Sequence, residues 1–373
     1  MPELTIERLG REGDGIAPGP VYAPRTLPGE VVAGDIVEGR MAAPKILRPV
    51  AERVAPACPH YGACGGCALM HAAPEFQTGW KAAEIARALD AVGLSAAVRP
   101  PHVSPEAARR RATLSARRTR AGAIAGFHGQ RGAEIVAVPD CRVIAPALRP
   151  ALAAAEALAA LGGTRKGELK VAATATEGGL DLSITGGRPA EGELLAELVA
   201  VAEAEDLACL TWDGEVIAMR RPPAVRLGPA RVLPPPGAFL QATAEAEAAM
   251  QADVAEATDG ARRVVDLFAG CGTFTLPLAA GAEVHAVEAE GAMLAALDRG
   301  WREAPGLRRI TTEVRDLHRR PLLPRELEGV EAVVTDRLEV VRRLDEVHEL
   351  VGRLDAQRTL PDPPEVHHDL AVE

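Results

Sequence analysis

Between residues 4 and about 54, apolar positions come in short alternating runs broken by glycine and proline: Leu4-Thr5-Ile6-Glu7, a turn from Gly10 to Gly15, then Val31, Val32, Ile36 and Val37. Period-two alternation with such joints predicts short strands, and fifty residues of them suit a small β-barrel. Phe76, Trp80, Ile85, Ala88, Leu89 and Val92 recur at helical spacing from Glu75 to Val92, and Gly93 ends the run. From about 110 to 235 the pattern turns mostly to strands. Hairpins are predicted where Leu169 to Thr176 returns through Glu177-Gly178-Gly179 to Ile184, and where Leu210 to Ile217 turns at Asp213-Gly214. Pro234-Pro235-Pro236-Gly237 is a stiff joint. After it a helix (Ala242 to Thr258) leads into strand, loop, helix, strand, the order of an α/β domain. Beyond residue 336 no strand pattern remains. Leu338, Val341, Leu344, Val347, Leu350, Val351 and Leu354 mark one amphipathic helix, followed by a proline-rich polar tail. The chain thus divides into residues 1–54, 55–235, 236–336 and 337–373.

A length of 373 residues fills two or three domains. Apolar residues make up 47% of them, but alanine supplies much of that and aromatics only 3%, so helical and strand periodicities are faint. The alanine-rich runs are broken by Glu, Asp or Gly before they reach membrane-spanning length. The opening Met-Pro-Glu-Leu-Thr-Ile-Glu-Arg has acids where a signal peptide has a basic and then an apolar stretch. A cytoplasmic monomer is expected, in a compartment that keeps thiols reduced.

Six cysteines are present, and three of them fall in Cys58-Pro59-His60-Tyr61-Gly62-Ala63-Cys64-Gly65-Gly66-Cys67. Thiols this close, separated by glycines that let the backbone fold tightly, make a ligand cage. Cys141, in Val-Pro-Asp-Cys-Arg-Val, is the best fourth ligand, because Cys209 sits in an apolar strand-like run and Cys271 lies in a glycine loop. Four thiolates suit an iron–sulfur cluster or a structural zinc, and the spacing alone does not separate them; disulfides or inert thiols are the bland alternative.

Val264-Val265-Asp266-Leu267-Phe268-Ala269-Gly270-Cys271-Gly272-Thr273-Phe274 reads as a buried strand entering a glycine turn that opens a helix. A dinucleotide fingerprint needs a third glycine where Thr275 stands, so NAD is disfavoured. Asp266 before the turn and Glu288 at the end of the next strand suit S-adenosylmethionine instead. Glu288 can accept both ribose hydroxyls, and Asp266 can polarise the loop near the methionine amine. Asp316 and Asp336 end the third and fourth strands in the same way. Each acid alone reads equally well as a helix cap; four on successive strands beside Gly-x-Gly favour the methyl donor.

With these motifs placed, residues 1 to about 336 resemble the RNA 5-methyluridine methyltransferases, closest to members with an N-terminal TRAM barrel, an iron–sulfur centre and a 23S rRNA target. The resemblance rests on Leu27-Pro28-Gly29-Glu30, the cysteine cage, Gly237-Ala238-Phe239-Leu240-Gln241-Ala242-Thr243 and Asp-Leu-Phe-Ala-Gly-Cys-Gly-Thr-Phe. It implies an OB-like TRAM barrel in 1–54, a central mixed α+β iron–sulfur and RNA-binding domain in 55–235, and a class I Rossmann-like methyltransferase domain in 236–336. It implies a [4Fe-4S] cluster on Cys58, Cys64, Cys67 and Cys141. It also places Gln241, Phe268, Thr273, Glu288, Asp316 and Asp336 on S-adenosylmethionine-contacting positions, beside Asp266, Gly270 and Gly272 of the turn.

In that family a cysteine in a Ser-Cys-Asn-Pro turn attacks uracil C6, making C5 nucleophilic, and a late carboxylate removes the C5 proton. No cysteine follows Cys271 here, and Asp336-Arg337-Leu338-Glu339-Val340 stands where Asp-Pro-Pro-Arg-Ala-Gly is expected. No catalytic residue is therefore assigned. Cys271 reads as a small packing residue, and Glu365 and Glu373 as solvated tail charges. An abrupt end to the resemblance suggests a frameshifted or remodelled terminus, with the sheet truncated after its fourth strand.

Net charge is −10, yet Arg109, Arg110, Arg111, Arg117, Arg118 and Arg120 cluster. They are expected to grip RNA phosphates together with the barrel, a solvated face being the alternative. His60, His71 and His128 read as ordinary polar or packing histidines. The competing functions are a uracil-C5 methyltransferase acting on 23S rRNA and a catalytically silent iron–sulfur RNA-binding protein.

Overall fold

The computed structural model describes residues 1–91, 93–94 and 97–335. Asp336 and the expected tail helix lie outside the described residues, as does Val92. The chain forms two compact units, residues 1–225 with 233–253, and residues 226–232 with those from 254 onward.

The first unit begins with six short strands: β1 (Glu3–Thr5), β2 (Arg8–Leu9), β3 (Gly15–Ala17), β4 (Val21–Ala23), β5 (Val31–Ala33) and β6 (Lys45–Arg48). They pair as two antiparallel three-stranded sheets, β1-β5-β6 and β2-β3-β4. The alternation seen in sequence buries Ile6, Ala17, Val21, Ala23, Val32 and Met41 in one small core. Ile36 and Val37 do not join it. Val37 pairs only with Arg40 across a tight turn and is 69% exposed, because Glu38 and Gly39 take left-handed backbone there.

Helix α1 (Pro74–Asp90) forms where helical spacing predicts it, with Pro74 in its first turn. None of its residues is buried, and Ile85 is 52% exposed. Its apolar positions set a helical period without a core to face.

Strands β7 (Arg111–Arg118), β8 (Ala123–His128) and β9 (Ile135–Val136), then β10 (Leu169–Thr176), β11 (Gly179–Thr185), β12 (Cys209–Trp212) and β13 (Glu215–Met219) make one seven-stranded sheet in the order β13-β12-β11-β10-β7-β8-β9. Both predicted hairpins are present, Thr176 facing Gly179 and Trp212 facing Glu215. Asp213 and Gly214, with φ 47° and 90°, make a left-handed two-residue turn that matches strand twist. Helices α2 (Ala151–Gly162) and α3 (Gly192–Ala204) were not legible in a stretch expected to be mostly strand. Alanine explains α2, since it has the highest helix propensity and gives the weakest hydrophobic contrast; in α3 the exposed Leu195 and Val199 carry apolar residues round the helix and blur its period. Ala154, Ala155, Leu158 and Ala159 of α2 and Leu198 of α3 bury against Leu114, Val171, Leu182 and Ile184. Alternate residues of the strands therefore face this core or point away from it.

On the other side of β11, Asp181 stands level with Thr174 and Cys209. Burial pushes its carboxyl from 3.8 up to about 6, and burial likewise pushes the bonded Cys209 thiol up to about 11. Between about pH 4 and 6 the folded chain keeps a proton that the unfolded chain has lost, so Asp181 makes stability fall as pH rises through that window and level off above it. Asp181→Asn should remove that slope, worth roughly 2–3 kcal/mol between about pH 4 and 7 in urea unfolding. An identical pH profile in variant and wild type would count against this account.

In the second unit, β14 (Val225–Leu227) pairs with β15 (Ala230–Val232), and helix α4 (Ala244–Ala257) contains the division between the units. Then follow β16 (Arg263–Leu267), α5 (Thr275–Leu278), β17 (Glu283–Glu288), α6 (Gly291–Glu303), β18 (Ile310–Val314) and β19 (Ala332–Thr335). The four later strands are parallel in the order β18-β17-β16-β19, so their carboxyl ends share one edge. Val264, Val265 and Leu267 of β16 are buried, as the apolar run requires for a strand between two neighbours. Among the described residues no helix is long and apolar enough to cross a membrane.

Candidate functional site

Two constellations carry chemistry, one in each unit. In the first unit, Cys58, Cys64, Cys67 and Cys141 line a single cavity of about 240 Å³ together with Tyr61, Arg109 and Phe127. The Cys58–Cys67 loop is held tight by its backbone: Tyr61 N–H donates to Cys58 C=O at 3.2 Å and Cys64 N–H to His60 C=O at 2.8 Å. Gly65 N–H then donates to His128 C=O at 2.9 Å. A Cβ on Gly65 would sit 3.0 Å from the carbonyl oxygens of His128 and Gly129, so only glycine lets the loop lie against the end of β8. Gly66 N–H donates to the Cys64 sulfur at 3.3 Å. Cys141 arrives from the turn after β9, its N–H bonded to Val138 C=O at 3.1 Å. Burial pushes the Cys67 thiol up to about 11, with the other three cysteines adding to the rise. Among the described residues no three His, Cys, Asp or Glu side chains are arranged to hold a single metal ion.

Side chains that the sequence did not single out fasten this loop to the six-stranded segment. Glu30, wholly buried, accepts from Leu27 N–H at 2.8 Å and from Arg53 through both Nη2, at 2.7 Å, and Nε. Arg53 also donates to Arg25 C=O at 2.9 Å. Arg25 in turn donates to Gly62 C=O at 2.7 Å and lies over the Tyr61 ring at 5.1 Å. The Tyr61 hydroxyl donates to Ala68 C=O at 2.8 Å and meets His71 Nδ1 at 2.6 Å. Since burial lowers the His71 pKa to about 4, its ring is neutral, and a hydroxyl already donating to Ala68 requires the proton on Nδ1. Glu30 stands in the quoted Leu27-Pro28-Gly29-Glu30, Tyr61 in the cysteine run and His71 among the named histidines, but nothing in the sequence linked them.

In the second unit the glycine turn follows β16. Phe268 takes φ 60°, a left-handed backbone in a bulky residue, and its ring tilts against His318 at 5.5 Å. Gly270 and Gly272 have φ 54° and 95°, and a Cβ at Gly272 would meet Leu276 and Leu297 at 3.0 Å. Asp266 is 1% exposed and accepts from the Thr275 hydroxyl at 2.5 Å. Glu288 spans the edge, one oxygen accepting from Gly270 N–H at 3.1 Å, the other from Ala289 and Glu290 N–H at 2.7 and 3.1 Å. Those bonds fix the carboxylate at the mouth of the turn and leave it acceptor capacity. Asp316 caps its own turn, accepting from His318 and Arg319 N–H at 3.0 and 3.3 Å. Thr273 is half-buried in the same turn. The strand register thus brings Asp266, Phe268, Gly270, Gly272, Thr273, Glu288 and Asp316 to one edge. Gln241 belongs to the first unit, where its carbonyl accepts from Arg110 Nε at 3.3 Å. Cys271 is packed, its sulfur 3.2 Å from that of Met293, and burial pushes its thiol up to about 12.

The arginine cluster is split by its own contacts. Arg110 ion-pairs with buried Glu247 at 2.7 Å, Arg111 donates to Ala238 C=O at 3.1 Å, and Arg117 lies 3.4 Å from Glu168. Arg109, Arg118 and Arg120 are exposed. Of the histidines, His128 meets Glu168 at 2.8 Å.

No family model matches the chain. It is 45% identical over 350 residues to an RNA methyltransferase of Caulobacter vibrioides, covering 90% of this chain and 84% of that one. It is 42% identical over 337 residues to an RNA methyltransferase of Brucella suis, covering 90% and 81%. A 23S rRNA (uracil(1939)-C(5))-methyltransferase of Halomonas elongata is 32% identical over 327 residues, covering 78% and 66%. Among solved structures, the Pyrococcus abyssi tRNA (uracil-54, C5)-methyltransferase in complex with S-adenosyl-L-homocysteine superposes with TM-score 0.70 at 19% identity, covering 92% of this chain and 87% of that one, a likeness of fold.

Proposed function

Because the chain belongs to the RNA methyltransferase family, we propose that it is an S-adenosylmethionine-dependent uracil-C5 methyltransferase acting on 23S rRNA, with a [4Fe-4S] cluster in its first unit. The observation that carries the donor assignment is the edge of the second unit, where Asp266 and Glu288 flank a turn in which Phe268, Gly270 and Gly272 take left-handed backbone. Glu288 receives the ribose hydroxyls, Asp266 orders the turn through Thr275, and Asp316 closes the far side. The half-buried Phe268 ring gives an apolar surface beside them.

Cys58, Cys64, Cys67 and Cys141 line one cavity, and four thiols are a donor set that suits a [4Fe-4S] cluster. They would hold it as thiolates, and when bound it would tie the loop to the Cys141 turn. The two small sheets around Ile6 and Val32 support a TRAM-like reading of the first fifty residues. The RNA assignment for the exposed Arg109, Arg118 and Arg120 rests on the family.

The other reading is a catalytically silent iron–sulfur RNA-binding protein; the Cys271 thiol, pushed by burial up to about 12, is a poor nucleophile. Incubation with methyl-labelled donor and unmodified 23S rRNA, followed by nucleoside separation, distinguishes the two. Label in 5-methyluridine supports the enzyme. Donor and RNA binding without transfer supports the silent protein.

A further inference from the structure

The seven-stranded sheet packs one face on α2 and α3; over β7, β10 and β11 its other face carries small hydroxyl side chains and cations. On β7, Ala112, Leu114 and Ala116 are buried, so Thr113, Ser115 and Arg117 point the opposite way. Register sets Lys170 of β10 level with Ser115, and Thr185 of β11 level with Lys170. Thr113, Lys170 and Thr185 are exposed. One end of this face is covered within the same unit, where Arg111 bonds to Ala238 and a Cβ on Gly237 would lie 3.3 Å from Ser183 Oγ. At the uncovered end the β7–β8 turn brings Arg120, and the loop before β10 brings Arg165 and Lys166, all exposed. Two of the four lysines in the chain lie here. The carboxylates of this end are already engaged: Glu168 by Arg117 and His128, Asp213 by Gly186 N–H at 2.7 Å.

In a chain of net charge −10, cations gathered at one sheet end create a local field opposite to that of the whole. The partner is read from the remaining side chains. Protein interfaces need buried aromatic or aliphatic anchors, and Thr113, Ser115 and Thr185 supply none. Hydroxyls beside arginine and lysine are the donor set that binds phosphate and sugar oxygens. With no aromatic ring among them to stack a base, contact is to the backbone and is sequence-tolerant. Resting on the RNA reading of the chain, we propose that this open half of the sheet is an RNA-backbone surface, with phosphates on Arg120, Arg165, Lys166 and Lys170.

The test uses the full chain and two labelled RNA hairpins of unrelated loop sequence, titrated by fluorescence anisotropy from about 50 to 200 mM KCl. Substituting Arg120, Arg165, Lys166 and Lys170 together by Gln should flatten the slope of log affinity against log salt by about 3, at roughly 0.7 per lost phosphate contact. The fourfold rise in salt then weakens the variant about 50-fold less than wild type, equally for both hairpins. Lys166→Arg with Lys170→Arg should keep the wild-type slope. Donor binding, measured on the same samples, reports folding of the second unit, and the thermal midpoint reports folding of the first. An unchanged slope in the folded variant overturns the proposal while leaving the methyltransferase reading intact, as does a loss confined to one hairpin sequence. Wild-type protein that shows no salt-dependent RNA binding removes the RNA reading itself and this surface with it.

Discussion

Cys67→Ser is expected to empty the first unit of iron. Anaerobically purified wild-type chain should carry about four iron and four sulfide atoms with broad absorption at about 400 nm, and the variant well under half of each. The reasoning is geometric. Cys67 closes the tight loop whose other thiols, Cys58 and Cys64, face Cys141 across one cavity, and serine is a harder and far less acidic ligand for iron. Cys209→Ser, a buried strand cysteine bonded to Asp181, should leave iron unchanged. A colourless wild-type protein holding one zinc would refute the cluster, and full iron content in the Cys67 variant would refute this ligand set.

The second large effect falls on Glu30. Arg53→Ala removes both guanidinium bonds from a carboxylate that is 0% exposed, leaving a buried charge with only Leu27 N–H. Stranding one member of a buried pair costs about 3–5 kcal/mol, enough to lower the thermal midpoint of a unit this size by roughly 6–15 °C. The damage should extend to the cysteine loop, because Arg53 also holds the Arg25 carbonyl and Arg25 holds Gly62 and Tyr61. Cluster loss to a chelator should therefore be faster in the variant. Adding Glu30→Gln should recover part of the stability, since it removes the charge that was stranded. A midpoint within about 1 °C of wild type would show that the pair is not structural.

Legibility followed contrast in side-chain chemistry. The hairpin at Glu177-Gly178-Gly179 and the run from Val264 to Thr273 combine β-branched residues with glycine, and both formed as read. The acids at strand ends were legible because parallel strands put their carboxyl ends on one edge. Helix α2 was not, since alanine at most of its positions leaves no polar face to oppose an apolar one, and α3 was not because Leu195 and Val199, each 40% exposed, carry apolar side chains round to its outer side. Helix α1 shows the converse: Phe76, Trp80 and Ile85 gave a clear period and buried nothing. The engagement of half the arginine cluster within the fold was hidden for a related reason. Alternation along β7 separates its residues onto two faces, and Arg110 and Arg111 find Glu247 and Ala238 more than a hundred residues away, which no local pattern announces. The network from Glu30 to Tyr61 was hidden likewise, each contact being long-range and each residue ordinary alone.

The most direct test of the account is calorimetric titration of S-adenosylmethionine into the full chain and into its Glu288→Gln variant. Binding of one donor per wild-type chain is predicted, with affinity reduced about 10- to 100-fold in the variant, because the neutral amide loses charge-assisted acceptance from Gly270, Ala289 and the ribose hydroxyls. Absence of binding by the wild-type chain, or equal affinity in the variant, would contradict the placement of the methyl donor at this edge.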